Sequence, residues 1–204
     1  MTRIKICGIT SVTDALVATA SGVDAVGLVF YPKSPRCVTV EQAADIAQAM
    51  PPFTTLVGLF VNATERTIQQ VLDHVPLGVL QFHGDESETQ CNRWSRPYIK
   101  VFRVRAGLPV AEMVAPYASA SGFLLDSYTP GVPGGTGEAF DWGLIPDNLG
   151  KPVILAGGLH AGNVRLAIET VQPYGVDVSS GVEAHPGHKD SGKIKAFIKA
   201  VGRN

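Results

Sequence analysis

Eight short apolar runs, each followed by a polar or glycine-rich connector and then a helical pattern, constrain this chain more than any other feature. They are Arg3–Cys7, Ala25–Phe30, Thr55–Val61, Gly78–Phe82, Tyr98–Phe102, Gly122–Asp126, Pro152–Ala156 and Gly175–Ser179. Each is too short for a helix and several are rich in β-branched residues, so they read as strands buried on both faces. Between them, apolar residues recur at helical spacing: Ala43, Ile46, Ala47 and Met50; Val110, Met113, Val114 and Tyr117; Val164, Ala167, Ile168 and Val171; Ile194, Phe197, Ile198 and Val201. That spacing is the stripe of a helix lying on a sheet. Thr39 with Gln42, and Asn62 with Glu65, have the spacing of capping boxes. After the fourth run the helical signal reduces to Cys91 and Trp94. After the sixth, Gly131–Gly137 reads as a long loop and only Phe140–Ile145 could form a short helix.

Eight strands alternating with helices allow a doubly wound open sheet or a closed barrel. Open sheets of this kind usually have fewer strands, whereas a (β/α)8 barrel uses all eight, and about 200 residues is the lower end of its range. No linker or shift in composition divides the chain. The expected architecture is α/β, a single (β/α)8 TIM barrel over residues 1–204.

Composition narrows the function classes. With 17 Lys and Arg against 18 Asp and Glu, the formal charge is −1, which lacks the basic footprint of a nucleic-acid-binding domain. Hydrophobic residues at 45% exclude general disorder. Three cysteines, Cys7, Cys37 and Cys91, with no CxxC pair, suit neither a disulfide framework nor a cysteine-rich zinc site, and fit a reducing compartment. Residues 1–10 lack the apolar core of a signal peptide, and no run approaches the ~18 apolar residues of a membrane span. The expectation is a cytoplasmic enzyme or small-molecule binder, with no nucleic-acid or membrane partner.

In such a barrel the active site lies at the C-terminal ends of the strands. Cys7 ends the first run and Asp126 the sixth, with Gln81 and His83 at the end of the fourth. Cys7 alone could be inert packing, and Asp126 could merely cap the next segment. Facing each other across one mouth, they would make an acid/base pair, the thiolate favoured by a nearby helix N-terminus. Gly157 and Gly158 after the seventh run, and Ser180 and Gly181 after the eighth, offer backbone N–H groups suited to phosphate. His83 is as well read as a structural hydrogen-bonding group as a ligand contact. His74 falls at a helix end and reads as exposed; His160, His185 and His188 fall in loops. No HxxxH or HExxH spacing appears, so no metal site is expected. The run Gly134, Gly135, Thr136 and Gly137 reads as a mobile lid rather than a nucleotide cradle.

Taken together and in order, the motifs resemble a known family. They are Lys5-Ile-Cys-Gly-Ile-Thr10, Gly27-Leu-Val-Phe-Tyr-Pro-Lys-Ser-Pro-Arg36, Gln81-Phe-His-Gly-Asp-Glu86, Asp126-Ser127, Gly134-Gly-Thr-Gly137, Phe140-Asp-Trp142, Leu155-Ala-Gly-Gly-Leu159 and Val176-Asp-Val-Ser-Ser-Gly-Val-Glu183. The chain resembles the phosphoribosylanthranilate isomerases of tryptophan biosynthesis over its full length. The resemblance implies an Amadori rearrangement of a phosphorylated aminoaldose, with no cofactor. It implies Asp126 as general acid and Cys7 as general base, and Gly157, Gly158, Ser180 and Gly181 on the phosphate. Arg36 would meet the anthranilate carboxylate, with Gln81 and His83 also on the substrate, under the lid. Glu138 stands where many relatives are expected to have lysine. Other readings are a sugar-phosphate epimerase or aldolase barrel, although aldolases commonly use a sixth-strand lysine where this chain has Asp126, and a non-catalytic phosphosugar-binding protein. Relatives occur as monomers and homodimers.

Strand alternation gives one more expectation. If Cys7 faces the barrel interior, so does Lys5. A buried ammonium needs a partner, and closure of the barrel puts Asp177 beside it. A Lys5–Asp177 contact supporting the barrel is expected, with a Schiff-base lysine as the sharper alternative.

Overall fold

The computed structural model describes residues 1–105, 107–127, 142–146 and 148–203. Its eight parallel strands close into a barrel in chain order: β1 (Arg3–Cys7), β2 (Ala25–Val29), β3 (Thr55–Phe60), β4 (Val79–Phe82), β5 (Tyr98–Val104), β6 (Gly122–Ser127), β7 (Val153–Leu155) and β8 (Gly175–Val178). Closure between β8 and β1 pairs Lys5 with Asp177. The helices are α1 (Val12–Ala20), α2 (Val40–Ala49), α3 (Glu65–His74), α4 (Glu88–Asn92), α5 (Val110–Val114), α6 (Val164–Val171) and α7 (Ser191–Val201). None is long and apolar enough to cross a membrane, among the described residues.

Alternation along the strands divides the protein into an outer layer and a lumen. Ile4, Ile6, Val26, Leu28, Leu80 and Phe123 belong to the main core, shared with apolar helix residues such as Ala43, Ile46, Val164 and Phe197. Aromatic rings on neighbouring strands interlock in this layer, Phe60 with Phe82 at 6.3 Å and Phe82 edge-on to Tyr98 at 5.9 Å between centroids. The lumen holds two smaller clusters, Ile99, Val101, Leu124 and Ala156 on one side and Cys7, Val29 and Leu59 on the other. The expectation of strands buried on both faces is met, and its reason is this double packing.

Helix starts follow local chemistry. Thr39 and Gln42 form the expected capping box at α2, and Ser87 and Gln90 form a second at α4. The expected box at Asn62 is not made. Thr64 caps α3 by accepting from the Thr67 N–H, while Asn62 adopts φ of 49° and its backbone N–H donates to Glu86. The Asn62 side chain is engaged elsewhere, its Oδ1 accepting from the Asp85 N–H at 2.7 Å, which leaves the cap to Thr64. Tyr117 lies beyond α5, where its hydroxyl donates to the Glu86 carbonyl at 2.9 Å. The segment expected as a short helix over Phe140–Ile145 holds a single 3-10 turn, Trp142–Leu144, with residues 140 and 141 outside the described set.

One element was not foreseen. After β8 a 3-10 turn (Ser180–Val182) leads into a two-stranded antiparallel hairpin, β9 (Glu183–His185) and β10 (His188–Lys189). His185 and His188 therefore sit on a hairpin rather than in open loop; both are exposed, as are His74 and His160.

Two polar networks hold the barrel ends. At the face where strands begin, Asp24 pairs with Arg3 and Arg203, each at 2.7 Å, and accepts from the Ile4 N–H. At the opposite face, the buried Lys100 ammonium donates to the Gly84 carbonyl at 2.7 Å and to Glu86 at 2.9 Å. Glu86 also accepts from the backbone N–H groups of Asn62 and Gly84. The loop that carries His83 is thus anchored from beneath by a satisfied ion pair.

Candidate active site

At the C-terminal end of the barrel the strand ends surround a cavity of about 220 Å³. Its lining includes Cys7, Arg36, Gln81, His83, Asp126, Gly157, Gly158 and Ser180. The structure therefore brings together, from six separate loops or strand ends, all but one of the described residues that the sequence singled out for chemistry or binding. Gly181 lies one residue past this surface, packed on Leu159.

Cys7 is 6% exposed at the end of β1, facing the lumen with Val29 and Leu59. Burial pushes its thiol above the usual value, and the nearby Lys5 and Lys189 ammonium groups work against that rise. The helix that follows β1, α1, begins at Val12 and is capped by Ser11. Lys5 donates to Asp177 at 2.9 Å, the contact anticipated from strand alternation.

Asp126 is buried at 8% exposure on β6. His83 Nε2 comes within 3.5 Å of its Oδ2 without hydrogen-bond alignment, and this nitrogen and Gln81 Oε1 are buried polar atoms lacking a hydrogen-bond partner. Buried polar groups left unmatched are costly. Two of them facing one cavity point to a ligand that completes them.

Arg36 is positioned by an unforeseen partner. Its Nε and one terminal nitrogen donate to the two Glu183 oxygens, each at 2.7 Å. That uses one edge of the guanidinium and leaves the end formed by the two terminal nitrogens for another anion. Glu183 also accepts from Lys189 at 2.8 Å. Burial favours the neutral carboxyl at Glu183, but hydrogen bonds from Arg36 and Lys189 outweigh it and hold its pKa below the usual value. A lowered pKa contributes stability above the unfolded value of about 4.3, and that contribution is lost as pH falls through the folded value. Thermal unfolding of wild type is therefore expected to lose more stability between pH 7 and 3 than Glu183→Gln does. Equal losses would remove this pair from the acid response.

The phosphate candidates form two adjoining turns. Gly157 and Gly158 have φ of 84° and 62°, a left-handed pair that bends β7 sharply outward. Asn163 pins that bend, donating to the Gly158 carbonyl at 2.9 Å and accepting from the His160 N–H at 2.8 Å. Ser180 opens the 3-10 turn beside it.

This geometry agrees with the comparisons to known proteins. The family described as N-(5'-phosphoribosyl)anthranilate isomerase matches residues 4–200. The chain belongs to the phosphoribosylanthranilate isomerase family. It is 62% identical over 199 residues to N-(5'-phosphoribosyl)anthranilate isomerase of Azotobacter vinelandii, covering 98% of this chain and 97% of that protein. A crystal structure of phosphoribosyl anthranilate isomerase from Thermotoga maritima superposes with a TM-score of 0.92 at 43% identity, with 98% of each chain covered. A further solved member, in complex with reduced 1-(o-carboxyphenylamino)-1-deoxyribulose 5-phosphate, gives a TM-score of 0.88 at 41% identity over 98% of both chains. The single closed barrel and the family resemblance drawn from the motifs both hold.

For a phosphoribosylanthranilate isomerase family member, sequence reasoning passed over several residues of this mouth. Arg103 lines the cavity and pairs in register with Asp126. The fifth run was ended at Phe102, although alternation from Ile99 and Val101 would have carried Arg103 to the lumen side. Tyr31, Lys33 and Ser34 join the wall from the loop after β2. Glu183 ends the motif after the eighth run, and nothing adjacent to it in sequence signals its contact with Arg36. The expected lid, Gly134, Gly135, Thr136 and Gly137, lies outside the described residues, as does Glu138. Among the described residues, no group of three or more His, Cys, Asp or Glu is placed to hold a metal ion.

Proposed function

We propose that this barrel mouth converts N-(5'-phosphoribosyl)anthranilate into 1-(2-carboxyphenylamino)-1-deoxyribulose 5-phosphate, an Amadori rearrangement serving tryptophan biosynthesis in the cytoplasm. The observation that carries the reading is the placement of a buried thiol and a buried carboxyl on one cavity, Cys7 from β1 and Asp126 from β6. The Asp126 carboxylic acid gives its proton to the furanose ring oxygen. The C1'–O bond breaks, and the amine lone pair forms the protonated Schiff base. Cys7, as thiolate, takes the C2' proton; the C–H electron pair becomes a C1'–C2' double bond and neutralises the iminium nitrogen. The resulting enolamine tautomerises to the ketone. The substrate's own nitrogen is the electron sink throughout.

Binding follows from the same wall. Backbone and hydroxyl donors of Gly157, Gly158, Ser180 and Gly181 take the phosphate. The free end of the Arg36 fork takes the anthranilate carboxylate, while Glu183 occupies its other edge. Gln81 Oε1 and His83 Nε2, both unmatched, face the sugar. The protein acts as a monomer or homodimer, without cofactor or metal.

Loss of phosphoribosylanthranilate fluorescence on adding the purified wild-type protein tests the reading. Catalysed loss with formation of the aminoketose is the expected result. Saturable binding without turnover would instead make the chain a phosphosugar-binding module.

A further inference from the structure

The mechanism leaves one buried charge at the centre of the site unused. Lys5 lies two residues before Cys7 on β1, its side chain 6% exposed and its ammonium 2.9 Å from Asp177. Both side chains reach the same point in the lumen. Gly27 on β2 pairs with Cys7 in register, and a methyl group there would lie 2.8 Å from Cys7 Sγ and 3.1 Å from Lys5 Nζ. The sulfur and the ammonium therefore lie within about 6 Å of one another, over a strand position that carries no side chain to separate them.

The geometry points to Lys5 as a positioning residue that favours the anionic, proton-accepting form of the Cys7 sulfur against the opposing effect of burial, with Asp177 keeping the ammonium in place. This rests on the reading of Cys7 as the base, but its first consequence, a larger thiolate fraction than burial alone would leave, is observable without substrate. A buried thiol in apolar surroundings is otherwise inert. At an effective dielectric of about 20, a unit positive charge ~6 Å away raises the thiolate fraction roughly a hundredfold. Burial works against the Lys5 charge, yet Asp177 and Cys7 together outweigh it and keep its pKa above the usual value. The lysine is therefore a cation at neutral pH. Other groups act on the thiol as well. Lys189 on β10 favours the thiolate, Asp177 on β8 opposes it, and Arg36 in the loop after β2 is coupled to it. The neighbouring Val29 and Leu59 are apolar. Lys5 has the largest favourable influence among the charged groups. A role confined to barrel stability would need only the Asp177 contact and would be indifferent to the state of the sulfur.

The test is the pH dependence of iodoacetamide alkylation at Cys7, read by peptide mass spectrometry so that Cys37 and Cys91 do not interfere. Circular dichroism confirms that each variant is folded. Lys5→Met should slow alkylation at pH 7 by ten- to a hundredfold and move its midpoint alkaline, while Lys5→Arg restores most of the rate. Lys5→Met strands Asp177, so the double variant Lys5→Met, Asp177→Asn removes both charges and serves if the single variant does not fold. It should also show an alkaline shift, smaller than that of Lys5→Met because Asp177 opposes the thiolate. Unchanged alkylation profiles in folded Lys5→Met or the double variant would overturn the proposal. In kinetics, the acidic limb of kcat/KM should shift with the alkylation midpoint. A shifted midpoint with an unshifted kinetic limb would uphold the Lys5 role and count against Cys7 as the base.

Discussion

Cys7→Ala and Asp126→Asn should each reduce isomerisation by about 10²- to 10⁴-fold, the usual contribution of a positioned acid or base, while the protein stays folded. Both side chains stand at strand ends on the lumen side, where the barrel is held mainly by other groups. Cys7 belongs to the small cluster with Val29 and Leu59, so its truncation removes little packing. Asp126 lies 3.5 Å from His83 with no hydrogen bond to it, and the amide keeps the shape of the carboxylate. The two variants separate the chemical steps. Asp126→Asn should block ring opening, and a substrate analogue already in the open-chain form should partly bypass it. Cys7→Ala should block proton removal from either form. The measurement is fluorescence turnover alongside thermal unfolding and binding of a product analogue. Retained turnover above a tenth of wild type in either folded variant would remove that residue from the chemistry.

Gly181→Ala is expected to raise KM at least tenfold and to destabilise the fold by about 1–3 kcal/mol, the usual cost of overpacking. A methyl group at this position would overlap the backbone carbonyl oxygen of Leu159. A backbone atom cannot swing aside as a flexible side chain would, so the turn after β8 must separate from the loop after β7. Those two segments carry Ser180 on one side and Gly157 and Gly158 on the other, and the substrate phosphate needs both. Gly78→Ala is the control: a methyl group there would meet Thr55 Cγ2 at 3.4 Å and the Leu56 carbonyl oxygen at 3.7 Å, ordinary contacts at the far end of the barrel. Equal effects of the two substitutions on KM would break the link between this packing contact and phosphate binding.

The barrel was legible because its strands are buried on both sides, which leaves continuous apolar runs that no helix of that length could explain. Its catalytic candidates were legible for a related reason: in this architecture chemistry sits where strands end, and Cys7, Gln81, His83 and Asp126 all fall there. The Lys5–Asp177 contact followed from alternation and closure alone. What escaped notice depended on contacts between distant segments. Arg36 and Glu183 are 147 positions apart, and nothing local to either shows that one guanidinium edge is already taken. The hairpin of β9 and β10 is too short to carry a periodic signal. Arg103 was lost at a strand boundary drawn two residues early, and the cap of α3 turned on whether Asn62 was committed elsewhere.

The carboxylate of Asp24 has an architectural consequence. It grips Arg3 and Arg203 together, and Arg203 also donates to the Thr2 carbonyl at 3.0 Å. Thr2 and Arg203 thus meet on the side of the molecule away from the cavity. A segment joined at residue 2 or 203 would leave the entrance clear, and a short bridge could splice these two positions into a continuous ring, letting the backbone be opened elsewhere as circular permutants.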